Sequence, residues 1–160
     1  MASRQSSDVA APPVPRWMPV GSLLLAGAGL LAAAYLTYEH FTASTTLACP
    51  DTGTINCQKV TTSEQSVVFG IPVVLYGLFF FVVMLVACLP ALWRNPAPLV
   101  RYGRLGFALV GVGFAAYLVY AELFVINAIC LWCTAVHLLT LLLFGVIAFG
   151  TALLPTGDGD

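Results

Sequence analysis

Residues 17–38 read WMPVGSLLLAGAGLLAAAYLTY, a run without a single charged side chain. A helix rises about 1.5 Å per residue, so a run of this length crosses the ~30 Å hydrocarbon core of a bilayer. Three further stretches share its character. Residues 69–93 are apolar throughout. Residues 105–121 are bounded by Arg104 and Glu122, in a span that starts near Leu99. Residues 129–154 contain one polar ionisable group, His137. The runs are continuous rather than alternating, and Ala, Leu and Gly dominate them, which argues for helices over barrel strands. Gly27, Gly29, Gly106, Gly111 and Gly113 let such helices approach closely.

Composition agrees. The chain has 160 residues, 60% hydrophobic and 8% charged, and its mean hydropathy is +0.95. Soluble domains carry about 25% charged residues. A soluble fold of this length could not hide so much apolar surface, and disorder fails on the same ground. Six Lys+Arg against seven Asp+Glu leave a net charge of −1 and no basic stripe for nucleic acid. The expected fold is an all-α integral membrane protein, a four-transmembrane-helix bundle with a long external loop between helices 1 and 2. Its spans fall near 17–41, 69–93, 99–123 and 129–154. A disordered tail, 1–16, precedes this membrane domain, 17–154, and a short tail, 155–160, follows it. The first run exceeds the apolar core of about 7–15 residues found in signal peptides and is read as a retained span.

The cations set the orientation. Arg4 and Arg16 precede span one, Arg94, Arg101 and Arg104 separate spans two and three, and Lys59 alone lies between spans one and two. The positive-inside rule then places both termini in the cytoplasm of a multi-pass protein of the cell (inner or plasma) membrane. Residues 42–68 and the turn at 122–128 face the exterior. Glu39, His40 and Glu122, at span ends, read as solvated anchors.

On this topology four of the five cysteines gather at the exterior, oxidising face. Cys49 and Cys57 lie in the long loop, and Cys130 and Cys133 form a C-x-x-C at the mouth of span four. Cys88, near the opposite face, reads as a small buried hydrophobe. Unpaired N–H groups at a helix N-terminus stabilise a thiolate, so Cys130-Leu131-Trp132-Cys133 fits a redox pair. The same spacing also allows a disulfide stapling the helix end, or two core thiols. Thr134 follows Cys133 where a c-type haem site needs His, and the Cys49–Cys57 spacing is unlike a zinc knuckle, so no metal is expected. Pro50, Asp51 and Gly53 are turn formers that let Cys49 and Cys57 approach. That pair is either a static bridge or a mobile one that exchanges with Cys130 and Cys133.

His137 falls on the stripe of Cys130 and Cys133, about 6 Å deeper than Cys133 at 1.5 Å per residue. An ionisable residue within a span is a functional candidate. It serves either as a donor or proton source to a membrane-dissolved acceptor or as a hydrogen bond to a neighbouring helix. No nucleotide, flavin or haem signature is present, and elimination leaves a lipid quinone, menaquinone or ubiquinone, as electron acceptor.

Together these residues resemble the vitamin K epoxide reductase family, in particular its bacterial homologues. The carriers are Cys49-x7-Cys57, the run Cys57-Gln58-Lys59-Val60-Thr61-Thr62-Ser63, Phe69-Gly70-Ile71-Pro72 leading to Tyr76-Gly77, and Cys130-Leu131-Trp132-Cys133. The resemblance implies a four-helix bundle around a quinone, capped by the external loop. It makes Cys130 and Cys133 the redox centre, with Cys133 nearer the quinone, and Cys49 and Cys57 the shuttle pair. Ser63 matches a loop serine that supports the site. Ser66 and His137 stand where the animal enzymes carry a quinone-contacting Asn and a Tyr, departures that weigh against epoxide reduction. The bacterial homologues serve disulfide formation instead. The expected function is a quinone-dependent thiol oxidoreductase that reoxidises a separate, exported DsbA-like or thioredoxin-like protein. Electrons pass from Cys49/Cys57 to Cys130/Cys133 to quinone. The alternatives are a vitamin K-type quinone epoxide or quinone reductase, and a non-enzymatic tetraspan scaffold with static disulfides.

Overall fold

The computed structural model of the chain describes residues 15–42, 49, 52–95 and 97–153. Of the expected tails, 1–16 and 155–160, residues 1–14 and 155–160 lie outside the described residues. Helix α1 is Trp17–Thr42 and α2 is the short Cys57–Thr61. A 3₁₀ turn, Glu64–Ser66, leads into strands β1, Val67–Val68, and β2, Ile71–Pro72. Helices α3, Val73–Ala87, and α4, Pro90–Trp93, follow. Helix α5, Pro98–Tyr120, runs into a π-helical turn, Ala121–Ile126, and α6 is Leu131–Leu153.

Three of these segments are long and apolar enough to cross a membrane: Trp17–Thr42, Pro98–Ile126 and Leu131–Leu153. The shorter apolar helix α3 lies where a fourth span was expected. Prolines divide that stretch. Pro90 has no N–H and disfavours helical geometry at the residue before it, so Leu89 is extended (ψ 141°) and α3 stops short of α4. Ala97 before Pro98 is extended for the same reason (ψ 122°), and α5 starts there.

The apolar runs of the sequence predict helices and no strands. The structure adds a small antiparallel hairpin in which Val68 faces Ile71 and Val67 faces Pro72. Its two-residue turn has positive φ at Phe69 (50°) and Gly70 (78°), the backbone twist that tight hairpins require. Glycine meets that demand without strain at position 70, and Phe69 adopts it beside its glycine neighbour.

Helix α1 packs on both α3 and α6, and α5 packs on α6. The core joins Met18, Ala26 and Ala33 of α1 to Phe81 and Met84 of α3, Trp93 of α4, Ala108 of α5 and Leu143 and Ile147 of α6. The Phe81 ring lies so close to Gly29 that a Cβ there would collide with it, and Phe80 is seated the same way on Gly111. Outward faces are apolar too: Leu31 is 74% exposed and Leu24 69%. Those faces suit lipid and not water.

The two ends of the bundle differ in chemistry. At one end the Arg104 guanidinium lies 3.6 Å over the Trp93 ring, and Trp93 Nε1 donates to Ser22 Oγ at 3.2 Å. Arg101 donates to the Thr151 carbonyl, and Cys88 is buried there in the core. At the other end the segment before α2 is tied to the segment before α6: Ile55 bridges Ile129, Ile129 N donates to Thr54 O at 2.9 Å, and Asn56 N donates to Ile129 O at 3.1 Å.

Candidate functional site

Those ties bring the cysteine pairs together. Asn56 caps α2, its Oδ1 accepting from Lys59 N at 2.7 Å. This fixes Cys57 at the first helical position, where it is bonded to Cys49 with a Cα–Cα distance of 6.1 Å. Cys57, Val60, Ala128 and Cys130 form one buried cluster, and Cys49, Ile126, Trp132 and Cys133 pack against it. Cys130 and Cys133 are free thiols. All four sulfur-bearing residues singled out in the sequence therefore share one cluster.

Cys130 sits just before α6 and acts as its cap. The Cys133 N–H donates to Cys130 Sγ at 3.2 Å, and Thr134 N donates to Cys130 O at 2.8 Å. The Cys133 side chain hydrogen-bonds to the Cys130 sulfur, and the backbone N–H groups of Cys133 and Trp132 add to it. The Cys130 thiol is held below its ordinary value of 9.0. Cys130 is fully buried and Cys133 is half-buried. Trp132 packs on Tyr35 of α1 with ring centroids 4.7 Å apart, which steadies the start of α6 against α1.

Cys133 opens onto a cavity of about 450 Å³ between α1, α3, α5 and α6, lined mainly by apolar and aromatic side chains such as Leu36, Phe80 and Phe114. Ser63, Ser66 and His137 line it as well. The serine hydroxyls donate to local carbonyls, Ser63 Oγ to Val60 O at 2.8 Å and Ser66 Oγ to Ser63 O at 2.6 Å. They brace the segment over the cavity and keep their oxygens free to accept. Tyr76 OH donates to Val68 O at 3.2 Å and holds the hairpin at the cavity edge. His137 is 6% exposed, and its Nδ1 has no hydrogen-bond partner.

Two residues read as solvated anchors are buried instead: Glu39 is 9% exposed and Glu122 is 5% exposed. Glu122 Oε2 accepts from Cys130 N at 3.4 Å, and its carboxyl also lines the cavity. The signal for it was present in the sequence, since Glu122 is the sole carboxylate from 105 to 154. His40, also read as a solvated anchor, lines the cavity as well.

Such a bundle, with a dithiol whose Cys133 lines a mainly apolar cavity and a disulfide packed beside it, defines a membrane redox protein. The sequence profile of the vitamin K epoxide reductase family matches residues 21–148, well over half of the chain, and the protein belongs to that family. Membership makes it a membrane oxidoreductase whose family chemistry links thiols to quinones.

Proposed function

We propose that the protein is a quinone-dependent thiol oxidoreductase that reoxidises a separate exported DsbA-like or thioredoxin-like protein and so supports disulfide formation. The observation that carries this reading is the single cluster that packs the Cys49–Cys57 disulfide against the Cys130/Cys133 dithiol, with Cys133 on the cavity wall.

Burial favours one order of attack. Cys49 is half-buried and Cys57 is 1% exposed, so the partner's thiolate reaches Cys49 and Cys57 leaves as a thiolate. A second partner thiol resolves that mixed disulfide and leaves Cys49 and Cys57 reduced. Cys57 then attacks the Cys130–Cys133 disulfide at Cys130, its neighbour in the cluster. Cys133 departs with the electron pair, and Cys49 closes again on Cys57 to release Cys130. The chain now has the state described here, an oxidised loop pair beside a reduced helix pair.

The cavity suits a quinone ring on its own features. Its walls are mainly apolar, Cys133 is one of its lining residues, and the buried His137 Nδ1 has no partner and can meet a carbonyl oxygen. A bound quinone, menaquinone or ubiquinone, supplies a two-electron, two-proton acceptor. His137, Ser63 and Ser66 would hold it, and the aromatic walls would keep water from the reduced sulfurs. The charge asymmetry supports the exterior placement of the cysteines: Lys59 is at their end, and Arg94, Arg101 and Arg104 are at the other.

Trapping tests the reading. Cys133→Ala should accumulate a mixed disulfide through Cys130, visible by non-reducing mass spectrometry of cells, with the exported partner appearing on Cys49. Quinol formation that survives serine at both Cys130 and Cys133 would refute it. Offering purified protein a dithiol with either a quinone or a quinone epoxide separates thiol oxidation from epoxide reduction.

A further inference from the structure

Glu122 has no part in the steps above, yet its setting is a demanding one. It lies in the π-helical turn that ends α5, with 5% of its surface exposed. Its Oε2 receives the Cys130 N–H, and the Cys133 side chain interacts with the same carboxyl. No cation pairs with it among the described residues. A buried carboxyl without a cation is costly to keep. This one stands on the cavity wall beside Cys133, with the unpartnered Nδ1 of the buried His137 on the same wall.

We propose that Glu122 is the proton acceptor for the Cys133 thiol. The inference rests on the thiol-to-quinone reading and adds a residue to it. The Cys133 S–H bond breaks as a Glu122 O–H bond forms, and the sulfur keeps the electron pair. Closing the Cys130–Cys133 bond releases two electrons and the Cys130 proton. These, with the proton held on Glu122, make up the two electrons and two protons that reduction of a quinone to its quinol consumes. Glu122 returns to the carboxylate. The hydrogen bond from Cys130 N orients the carboxyl toward the Cys133 side chain.

A merely electrostatic neighbour would have the opposite signature. A fixed negative charge opposes thiolate formation, so its removal would make Cys133 more reactive. Removal of a proton acceptor makes Cys133 less reactive. The test uses reduced, quinone-free full-length protein in detergent and N-ethylmaleimide, with alkylation at each sulfur followed by mass spectrometry. Glu122→Gln keeps an oxygen for Cys130 N but cannot take a proton. Loss of a positioned base costs about 10²–10⁴-fold in the reaction it serves, and Cys133 alkylation in Glu122→Gln should fall by at least about tenfold. Glu122→Asp should recover part of that loss. Cys133 alkylation that is unchanged or faster in Glu122→Gln overturns the proposal. So does an equal loss in Glu122→Gln and Glu122→Asp, since the carboxyl would then matter only for packing. Quinol formation by Cys133→Ala, with a short-chain quinone as probe, separates the two ideas. If that variant is active, the thiol-to-quinone reading itself fails. If it is inactive, the alkylation result judges Glu122 alone.

Discussion

The Cys130 thiol owes its lowered pKa to its place in the chain. It precedes the first residue of α6, so N–H groups that have no partner within the helix turn toward its sulfur. The largest contribution is the hydrogen bond from the Cys133 side chain, and that contribution is removable. The thiolate is the form that alkylates. In fully reduced protein the rate at Cys130 should therefore inflect below the ordinary 9.0. In Cys133→Ala the inflection should move up, and the rate at neutral pH should fall. An inflection that does not move would show that the backbone N–H groups alone hold the thiol down. His137 offers a separate test. If its ring hydrogen-bonds the quinone, His137→Leu removes one hydrogen bond worth ~1 kcal/mol, about fivefold in affinity. The KM for quinone should rise by that factor, while exchange between the two cysteine pairs in a quinone-free single turnover keeps its rate. Slower exchange in His137→Leu would instead mark His137 as packing for α6.

The elements around these residues are held by close approaches and turns with narrow tolerances. The Phe81 ring lies on the Gly29 backbone and locks α3 to α1. Gly29→Ala would push Phe81 out of its site at a cost of about 1–3 kcal/mol, seen as a lower midpoint of thermal unfolding in detergent. Asn127 closes the π-helical turn in the left-handed conformation (φ 53°, ψ 45°), its N–H donating to the Glu122 carbonyl. Asn127→Gly should be nearly neutral, whereas Asn127→Val should cost about 1–2 kcal/mol, because a branched side chain resists that conformation. The long helices were legible because an unbroken apolar run has few other fates. The hairpin was not, because Val67, Val68, Ile71 and Pro72 continue the apolar character of the span they precede. Glu122 was misread for a related reason. At the end of a span, lipid interface and bundle interior are separated only by helical phase, and the π turn shifts that phase away from the α-helical stripe. The stripe did hold within α6, where Cys133 and His137 reach the same cavity.

On the scale of the whole molecule, the bundle separates a reactive end from a closed one. The Cys49–Cys57 disulfide and the Cys130 and Cys133 thiols are gathered where residues 54–56 bind residue 129, and Cys133 lines the cavity. At the far end Arg104 caps α3 by donating to Ala87 O at 3.4 Å while its guanidinium covers Trp93. Cys88 is sealed in that region with 0% exposure, so a sulfur is present there but has no path to solvent or to the other four. On the proposed orientation the arginines that seal this end are also the charges that resist translocation, so one set of side chains would serve both packing and orientation. Orientation is then a property that single exposed sites can report. Lys59 and Arg94 are both exposed, at opposite ends. In intact cells a membrane-impermeant maleimide should label Lys59→Cys and spare Arg94→Cys until the membrane is opened with detergent, with the modified position read by mass spectrometry. The reverse pattern would put the cysteine cluster in a reducing compartment. There the Cys49–Cys57 bridge would meet a thiol pool instead of an exported protein, and a role in supplying disulfides outside the cell would be untenable whatever the chemistry of the cavity.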